Sequence, residues 1–182
     1  MLDVAQRAPG MMGPVTATSP TPGFSIREAT IDDVDDLLRL VRELAAYERE
    51  PESATATPEH FREALFPSDG SPAAYAHVAE GDGRVVGMAI WFVSFSTWTG
   101  RHGIWLEDLF VEPEQRGRGI GKAFLVRLAQ LCLERGWTRF EWWVLDWNTP
   151  SIEFYRSQGA VAQEEWTTFR VDGDALERLA RS

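Results

Sequence analysis

The spacing of apolar residues predicts a strand followed by two helices in the first third of the chain. Residues 24–27 alternate apolar and polar positions, which is typical of a strand with one buried face. Apolar residues recur at helical spacing over 31–48, and Thr30 with Asp33 resembles a capping box at the start of that helix. A shorter helical pattern covers 59–65 and ends at a cluster of Pro, Asp and Gly residues.

The pattern then changes to strands joined by short turns. Residues 74–79 and 85–95 flank the turn Gly81-Asp82-Gly83, and Asp-Gly between two apolar runs is a strong hairpin signal. A third apolar run, residues 104–111, ends at Pro113. The middle of the chain is therefore predicted to form three consecutive strands.

Helices and strands alternate over the remainder of the chain. The patterns predict a helix over 120–133 stopped by Gly136, a strand over 140–145, a helix from Thr149-Pro150 to Gly159, a strand over 166–171 and a short helix from Asp174. This order predicts an α+β (mixed α/β) fold in which helices cover both faces of a central mixed sheet.

The first 22 residues lack any apolar periodicity. They are rich in Pro, Thr and Ser, so they are predicted to form a disordered tail, whereas residues 23–182 suffice for a single domain.

Composition narrows the classes of partner. The chain has 28 acidic and 18 basic residues, a net charge of −10, which disfavours nucleic acid and would suit a small cationic substrate. The alternative is that the acidic residues only keep the surface soluble. We find no apolar run of about 20 residues and no secretory leader, which predicts a cytoplasmic protein that is not in the membrane.

Cysteine and histidine usage predicts neither a disulfide nor a metal site. Cys132 is the only cysteine, and its neighbours Leu131 and Leu133 suggest an inert thiol in the core. The three histidines are far apart and show none of the pair spacings of zinc ligands.

The sharpest chemical signal is a basic, glycine-rich turn between a predicted strand and a predicted helix. Glycines allow the backbone to approach a ligand closely, and the amides at a helix start attract an anion. A P-loop is excluded because Arg116 and Ala123 replace its glycine and its Ser or Thr; the dinucleotide fingerprint is excluded because Phe124 replaces its last glycine. The alternative is a tight turn without a ligand. The turn comprises Gln115, Arg116, Gly117, Arg118, Gly119, Ile120, Gly121 and Lys122.

The motifs around this turn resemble those of the GNAT acetyltransferases. The turn, preceded by Leu109-Phe110-Val111, is similar to the family's pyrophosphate-binding motif. The segments 43–48, 106–111 and 147–155 resemble, more narrowly, the spermidine/spermine (diamine) N-acetyltransferase branch. The similarity runs from Phe24 to the C-terminus, and it implies a mostly antiparallel sheet, acetyl-CoA as co-substrate and a homodimer.

The resemblance also implies a role for individual residues. Tyr155 would protonate the departing CoA thiolate, and Glu107 would help to deprotonate the amine. Pantetheine would bind the backbone of Leu109, Phe110 and Val111. Asn148 and Ser151 would make further contacts with the cofactor. The pyrophosphate would bind the turn formed by Arg116, Gly117, Arg118, Gly119, Ile120, Gly121 and Lys122. The cationic substrate would contact Tyr47 and Glu48. From their positions in the sequence we also predict substrate contacts for Glu107, Asp108 and Trp98.

The chemistry of acetyl transfer requires the same two kinds of group. A protonated amine cannot attack a thioester, so a base is needed near the amine and an acid helps near the sulfur. Glu107 and Asp108 interrupt an apolar strand, and because neighbouring strand residues face opposite ways, at most one of them is expected to face a given cleft. The alternatives are internal hydrogen bonds or a salt bridge for the carboxylates, and a packing role for Tyr155 beside Phe154.

Three functions are open at this level. The first is acetyl transfer from acetyl-CoA to a primary amine of a polyamine, a diamine, or thialysine or another lysine-like compound. The second is an acetyl-CoA-binding regulatory module without catalysis, and the third is acetyl transfer to proteins or peptides. For Trp98, a cation–π contact with substrate competes with the packing role expected of most of the eight tryptophans.

Overall fold

The computed structural model describes residues 23–182, so the predicted tail lies outside the described residues. Backbone contacts divide the chain into two compact units, and the boundary along the chain falls between Trp143 and Val144. The prediction of one domain over 23–182 stays a prediction.

The first unit contains a five-stranded sheet whose strands follow chain order. Neighbouring strands are antiparallel, except that β4 and β5 are parallel, which confirms the predicted mixed, mostly antiparallel sheet. The strands are β1 (Phe24–Glu28), β2 (Tyr75–Gly81), β3 (Arg84–Ser96), β4 (Arg101–Val111) and β5 (Arg139–Trp142), and the helices are α1 (Val34–Tyr47), α2 (Pro58–Leu65) and α3 (Ile120–Glu134).

Helices cover both faces of this sheet. On one face, Leu37 and Leu40 of α1 and Leu65 of α2 pack in a buried cluster with Met88 and Ile90 of β3. The amphipathic spacing over 31–48 anticipates this face. The Asp33 carboxylate accepts a hydrogen bond from the Thr30 amide (2.7 Å), as in the predicted capping box, and another from the Thr30 hydroxyl (3.0 Å).

Helix α3 covers the other face and connects the two parallel strands. It contacts β4, β1 and β5, and it buries Phe124, Leu128 and Cys132. Two parallel strands need a crossover of this kind, which places the start of the helix next to the carboxyl end of the preceding strand. The glycine-rich turn therefore lies where β4 ends and α3 begins.

Strand β4 carries a bulge in the middle of the predicted site. Ile90 pairs with Asp108 whereas the next residue of β3, Trp91, pairs with Leu106, so Glu107 is the extra residue. A bulge locally disrupts the ladder and re-aims the side chains around it.

A buried glutamate links the end of β4 to two arginines from elsewhere in the fold. Glu112 is only 5% exposed and accepts hydrogen bonds from both terminal nitrogens of Arg84 (2.5 and 2.6 Å) and from Nη1 of Arg39 (2.7 Å). These arginines lower the pKa of Glu112. Since Arg39 belongs to α1 and Arg84 to β3, the interaction fixes the strand end that leads into the turn.

We expect Glu112→Gln to lower the free energy of unfolding by about 1–2 kcal/mol, because the arginines keep some water contact but lose their shared carboxylate. Ionised Glu112 stabilises the fold above its unfolded-state pKa, so the deficit should shrink as pH falls through the acidic range in which Glu112 protonates. Urea unfolding between pH 3 and pH 8 measures this, with the exposed Glu114→Gln as the matched control. Equal stability of the two variants would contradict the role.

The second unit contains α4 (Thr149–Ser157) and α5 (Gly173–Ala180), close to the predicted helices. The predicted strand over 166–171 is wrong: this segment has neither helix nor strand, and Phe169 is 89% exposed. The alternation of apolar residues is real, but a strand also needs a neighbouring strand to complete its backbone hydrogen bonds.

Candidate active site

The glycine-rich turn has the open, left-handed backbone that its sequence suggested. Gly117 and Gly119 have φ values of +76° and +86°, a region that side chains with a Cβ rarely adopt. A Cβ built on either residue would meet no atom within 4 Å. Gly119 is the N-cap of the 15-residue helix α3, so amides at the helix start face a space that an anion can enter.

The turn's two arginines are directed differently. The Arg116 guanidinium lies over the rings of Tyr47 (4.8 Å from Cζ to the ring centroid) and Phe110 (5.5 Å), and its Nε donates to the Val111 carbonyl (3.0 Å). Arg118 donates to Gln115 and to the Gly23 carbonyl and lies 3.7 Å from Asp82. Lys122 is exposed in the first turn of α3.

The end of β4 has backbone groups on one edge that β5 does not pair. Pairing with β5 covers Gly103–Leu106, and within residues 23–182 the register continues no further along β4. Buried Phe110 and half-buried Leu109 and Val111 follow on this stretch. An extended ligand chain bearing amides can bond to such an edge in the way an added strand does.

The bulge places Glu107 and Asp108 on the same face of the sheet. Trp105, paired with Phe92, donates from Nε1 to Glu107 Oε2 (3.1 Å), so Glu107 lies on the face of Phe92. Asp108 pairs with Ile90, two residues from Phe92 and therefore on that face as well. The prediction that at most one of the two carboxylates faces a given cleft is wrong, because strict alternation fails at a bulge.

Glu48, which follows α1, contributes a third carboxylate to this group. Burial raises the pKa of Glu48, and burial together with the charges of Glu107 and Glu48 raises the pKa of Asp108 from 3.8 to about 6. Because two neighbouring carboxylates disfavour the ionised form of Asp108, a cation bound here would be stabilised. We call Glu48, Glu107 and Asp108 the carboxylate cluster.

Asp108 should therefore reduce the stability of the protein at neutral pH. Because the pKa of Asp108 is higher in the folded than in the unfolded state, ionising Asp108 lowers the free energy of unfolding. This loss of stability is absent below pH 4 and complete above about pH 6. We expect Asp108→Asn to raise the free energy of unfolding at pH 7.5 by roughly 1–3 kcal/mol, since one pKa unit corresponds to about 1.4 kcal/mol. Denaturant titrations at pH 4 and pH 7.5 test this; a variant that is less stable than wild type at both pH values would contradict it.

Tyr47 directly precedes Glu48 of the carboxylate cluster. It packs against the buried cluster that contains Phe110 and Ile90, and Ile90 pairs with Asp108. Trp98, in contrast, lies in the β3–β4 turn and is 84% exposed. With Ser96 pairing Arg101, that turn is about 20 Å along the strands from Asp108. A substrate-binding role for Trp98 stays a prediction.

The second unit contains the remaining predicted residues. Asn148 is buried and caps α4 by accepting a hydrogen bond from the Ser151 amide (3.4 Å). The Tyr155 ring, on the same helix, lies 5.3 Å from that of Phe154. Their cofactor and catalytic roles stay predictions.

The fold and site define an acetyltransferase of the GNAT class. Residues 37–160 match the acetyltransferase (GNAT) family. The chain belongs to this family and is an N-acetyltransferase. No helix among residues 23–182 is long and apolar enough to cross a membrane.

Curated relatives agree with this assignment, and a solved structure shares the fold. The chain is 37% identical to the thialysine N-epsilon-acetyltransferase of Sus scrofa in an alignment that covers 85% of this chain and 96% of the relative. It is 31% identical to human spermidine/spermine N(1)-acetyltransferase-like protein 1, over 86% of this chain and 24% of that protein. Its fold matches an integron cassette protein of V. cholerae with a TM-score of 0.74 and 25% identity, over 88% and 99% of the two chains.

Sequence reasoning missed two features of the site. One is the pairing of Glu112 with Arg39 and Arg84, for which a single acid between Val111 and Pro113 is the only local signal. The other is the contact of Arg116 with Tyr47, 69 positions away in the chain, which no spacing rule predicts.

Proposed function

We propose that this N-acetyltransferase transfers the acetyl group of acetyl-CoA to a primary amine of a small cationic substrate, such as thialysine or another lysine-like compound, a polyamine or a diamine. The observation that carries the proposal is the carboxylate cluster, of which Glu107 and Asp108 lie on the strand that leads into the open turn. The relatives that act on thialysine and, in Arabidopsis thaliana, on L-ornithine support the same substrate class.

The residues present fit the cofactor. The GNAT family uses acetyl-CoA as co-substrate, and the left-handed Gly117 and Gly119 leave open space before helix α3, where a pyrophosphate would be stabilised by amides and by the helix dipole. Beyond Leu106, the edge of β4 that faces away from β3 pairs with no strand of residues 23–182, and it suits the amides of pantetheine. When bound, acetyl-CoA supplies an acetyl group activated as a thioester.

We propose distinct roles for the acidic and phenolic side chains. Glu107, positioned by Trp105, helps to remove the proton from the substrate ammonium, directly or through water, while Glu48 and Asp108 bind the cation. The amine nitrogen then bonds to the acetyl carbon as the carbon–sulfur bond breaks. Tyr155 donates its hydroxyl proton to the departing thiolate. The proton that the acylated nitrogen then loses restores the Tyr155 hydroxyl through water, and the proton taken up at Glu107 is released to solvent.

A panel of amines tests the proposed substrate class. CoA release from acetyl-CoA should be fastest with thialysine, ornithine, spermidine or short diamines and much slower with lysine-containing peptides. Faster turnover of peptides would favour protein acetylation. Calorimetry should detect acetyl-CoA binding in either case, and binding without turnover on any amine would favour a regulatory module.

Further predictions also stay proposals. We propose a cytoplasmic homodimer in which residues 23–182 form one N-acetyltransferase domain without a metal and without nucleic-acid or membrane partners. The homodimer and the domain extent rest on family resemblance, and the lack of nucleic-acid partners on the net charge of −10. Light scattering of the purified protein measures the oligomeric state.

A further inference from the structure

Arg116 belongs to the cofactor turn, but its side chain lies against residues beside the carboxylate cluster. Its guanidinium is stacked over Tyr47, 4.8 Å from the ring centroid, and its Nε donates to the Val111 carbonyl. Tyr47 directly precedes Glu48, whose charge raises the pKa of Asp108. A cation of the protein itself therefore occupies an aromatic face next to the carboxylate cluster.

An aromatic face beside carboxylates is the surface that a cationic amine is expected to use. Cation–π attraction and the charge of the carboxylates act alike on a guanidinium and on an ammonium group. Arg116 and a bound amine would therefore compete for the Tyr47 ring. The same arginine also occupies the Val111 carbonyl, on the strand segment proposed to bond pantetheine.

A pyrophosphate in the turn gives Arg116 a stronger partner. Charge-assisted hydrogen bonds between arginine and phosphate are among the strongest polar contacts in proteins, whereas the Arg116 guanidinium lies over the Tyr47 and Phe110 rings and its Nε donates to one carbonyl. Arg118 differs in this respect, because it lies close to Gln115, the Gly23 carbonyl and Asp82, away from the Tyr47 ring.

We propose that Arg116 covers the amine-binding face of Tyr47 until the pyrophosphate of CoA draws the guanidinium into the turn, so that cofactor binding opens the amine site. The inference rests on the proposed function, because it assumes that CoA and a cationic amine are the ligands. Coupling of this kind is reciprocal: bound amine must tighten CoA binding by the same factor. The energy of a cation–π contact corresponds to a coupling of about 5- to 30-fold.

Calorimetric titration of thialysine into the protein, with and without saturating CoA, tests the coupling. CoA lacks an acetyl group, so the complex cannot turn over. Wild type should bind thialysine about 5- to 30-fold more tightly when CoA is present. In Arg116→Gln, the affinity without CoA should rise towards the CoA-bound value of wild type, although the substitution weakens CoA binding.

Arg118→Gln is the matched control, because it removes the same charge from the same turn without uncovering Tyr47. Its affinity for thialysine in the absence of CoA should equal that of wild type. The proposal is wrong if Arg116→Gln binds thialysine no more tightly than wild type, or if both variants gain equally, since an equal gain would be a general effect of net charge.

A second measurement does not depend on the amine. In protein labelled with ¹³C and ¹⁵N at arginine, the Arg116 side-chain signals should be shifted by the ring currents of Tyr47 and Phe110, and they should lose that shift when CoA is added. Retention of the shift in the CoA complex would overturn the proposal. Failure of CoA to bind wild type at all would refute the proposed function, and this inference with it.

Discussion

Tyr155→Phe is expected to slow acetyl transfer by about 10²- to 10⁴-fold while the affinity for acetyl-CoA is unchanged. The substitution removes only the hydroxyl, so the ring contact with Phe154 survives and the proton for the thiolate is lost. Single-turnover acetyl transfer measured by rapid quench, together with calorimetry of acetyl-CoA, separates chemistry from binding.

Tyr75→Phe is the matched control for this variant. It removes a hydroxyl from a tyrosine whose ring is stacked on Trp91 (4.5 Å between centroids), within the first unit, and turnover should stay close to wild type. A rate for Tyr155→Phe as high as that of Tyr75→Phe would exclude Tyr155 as the general acid and would favour a packing role.

Glu107→Gln tests the other proposed proton transfer, which is the removal of a proton from the substrate ammonium. If Glu107 assists deprotonation, its variant should regain activity as pH rises, because more of the substrate amine is already neutral, and Tyr155→Phe need not show this trend. Asp108→Asn serves as the comparison within the carboxylate cluster. Rescue at high pH in Asp108→Asn but not in Glu107→Gln would move the base role to Asp108, whose pKa is about 6.

Gly119→Val is expected to weaken acetyl-CoA binding by more than about tenfold. Gly119 has φ +86°, and a β-branched residue in this region is strained by roughly 1–3 kcal/mol, so the turn should rearrange and its amides should no longer converge on the pyrophosphate. The side chain would also enter the open space beside the turn. Calorimetry with acetyl-CoA measures the loss.

Gly136→Val separates loss of the site from loss of stability. Gly136 also has a positive φ (+66°) and open space around its Cβ position, but it follows the other end of α3. Both variants should lose similar stability in thermal unfolding, and only Gly119→Val should lose acetyl-CoA affinity. Equal affinities in the two folded variants would count against the assignment of the turn.

The sequence by itself determined the elements whose signals are local. Helical periodicity gave α1 and α3, the Asp82-Gly83 turn gave the β2–β3 hairpin, and Gly117 and Gly119 marked a turn that needs positive φ. These features depend on neighbouring residues, so a single chain contains the information for them. The class of enzyme can also be predicted from the sequence, because the family's motifs occupy short contiguous segments.

Tertiary structure decided the features that depend on partners distant in the chain. The apolar alternation over 166–171 predicts a strand, but a strand forms only where another strand completes its hydrogen bonds. The alternation of side chains along a strand also predicts that Glu107 and Asp108 lie on opposite faces of the sheet. The register of β3 against β4 contains a bulge, which puts both residues on one face. Glu112 with its arginines, and Arg116 over Tyr47, are brought together by packing across 28 or more positions, where no spacing along the chain constrains the distance.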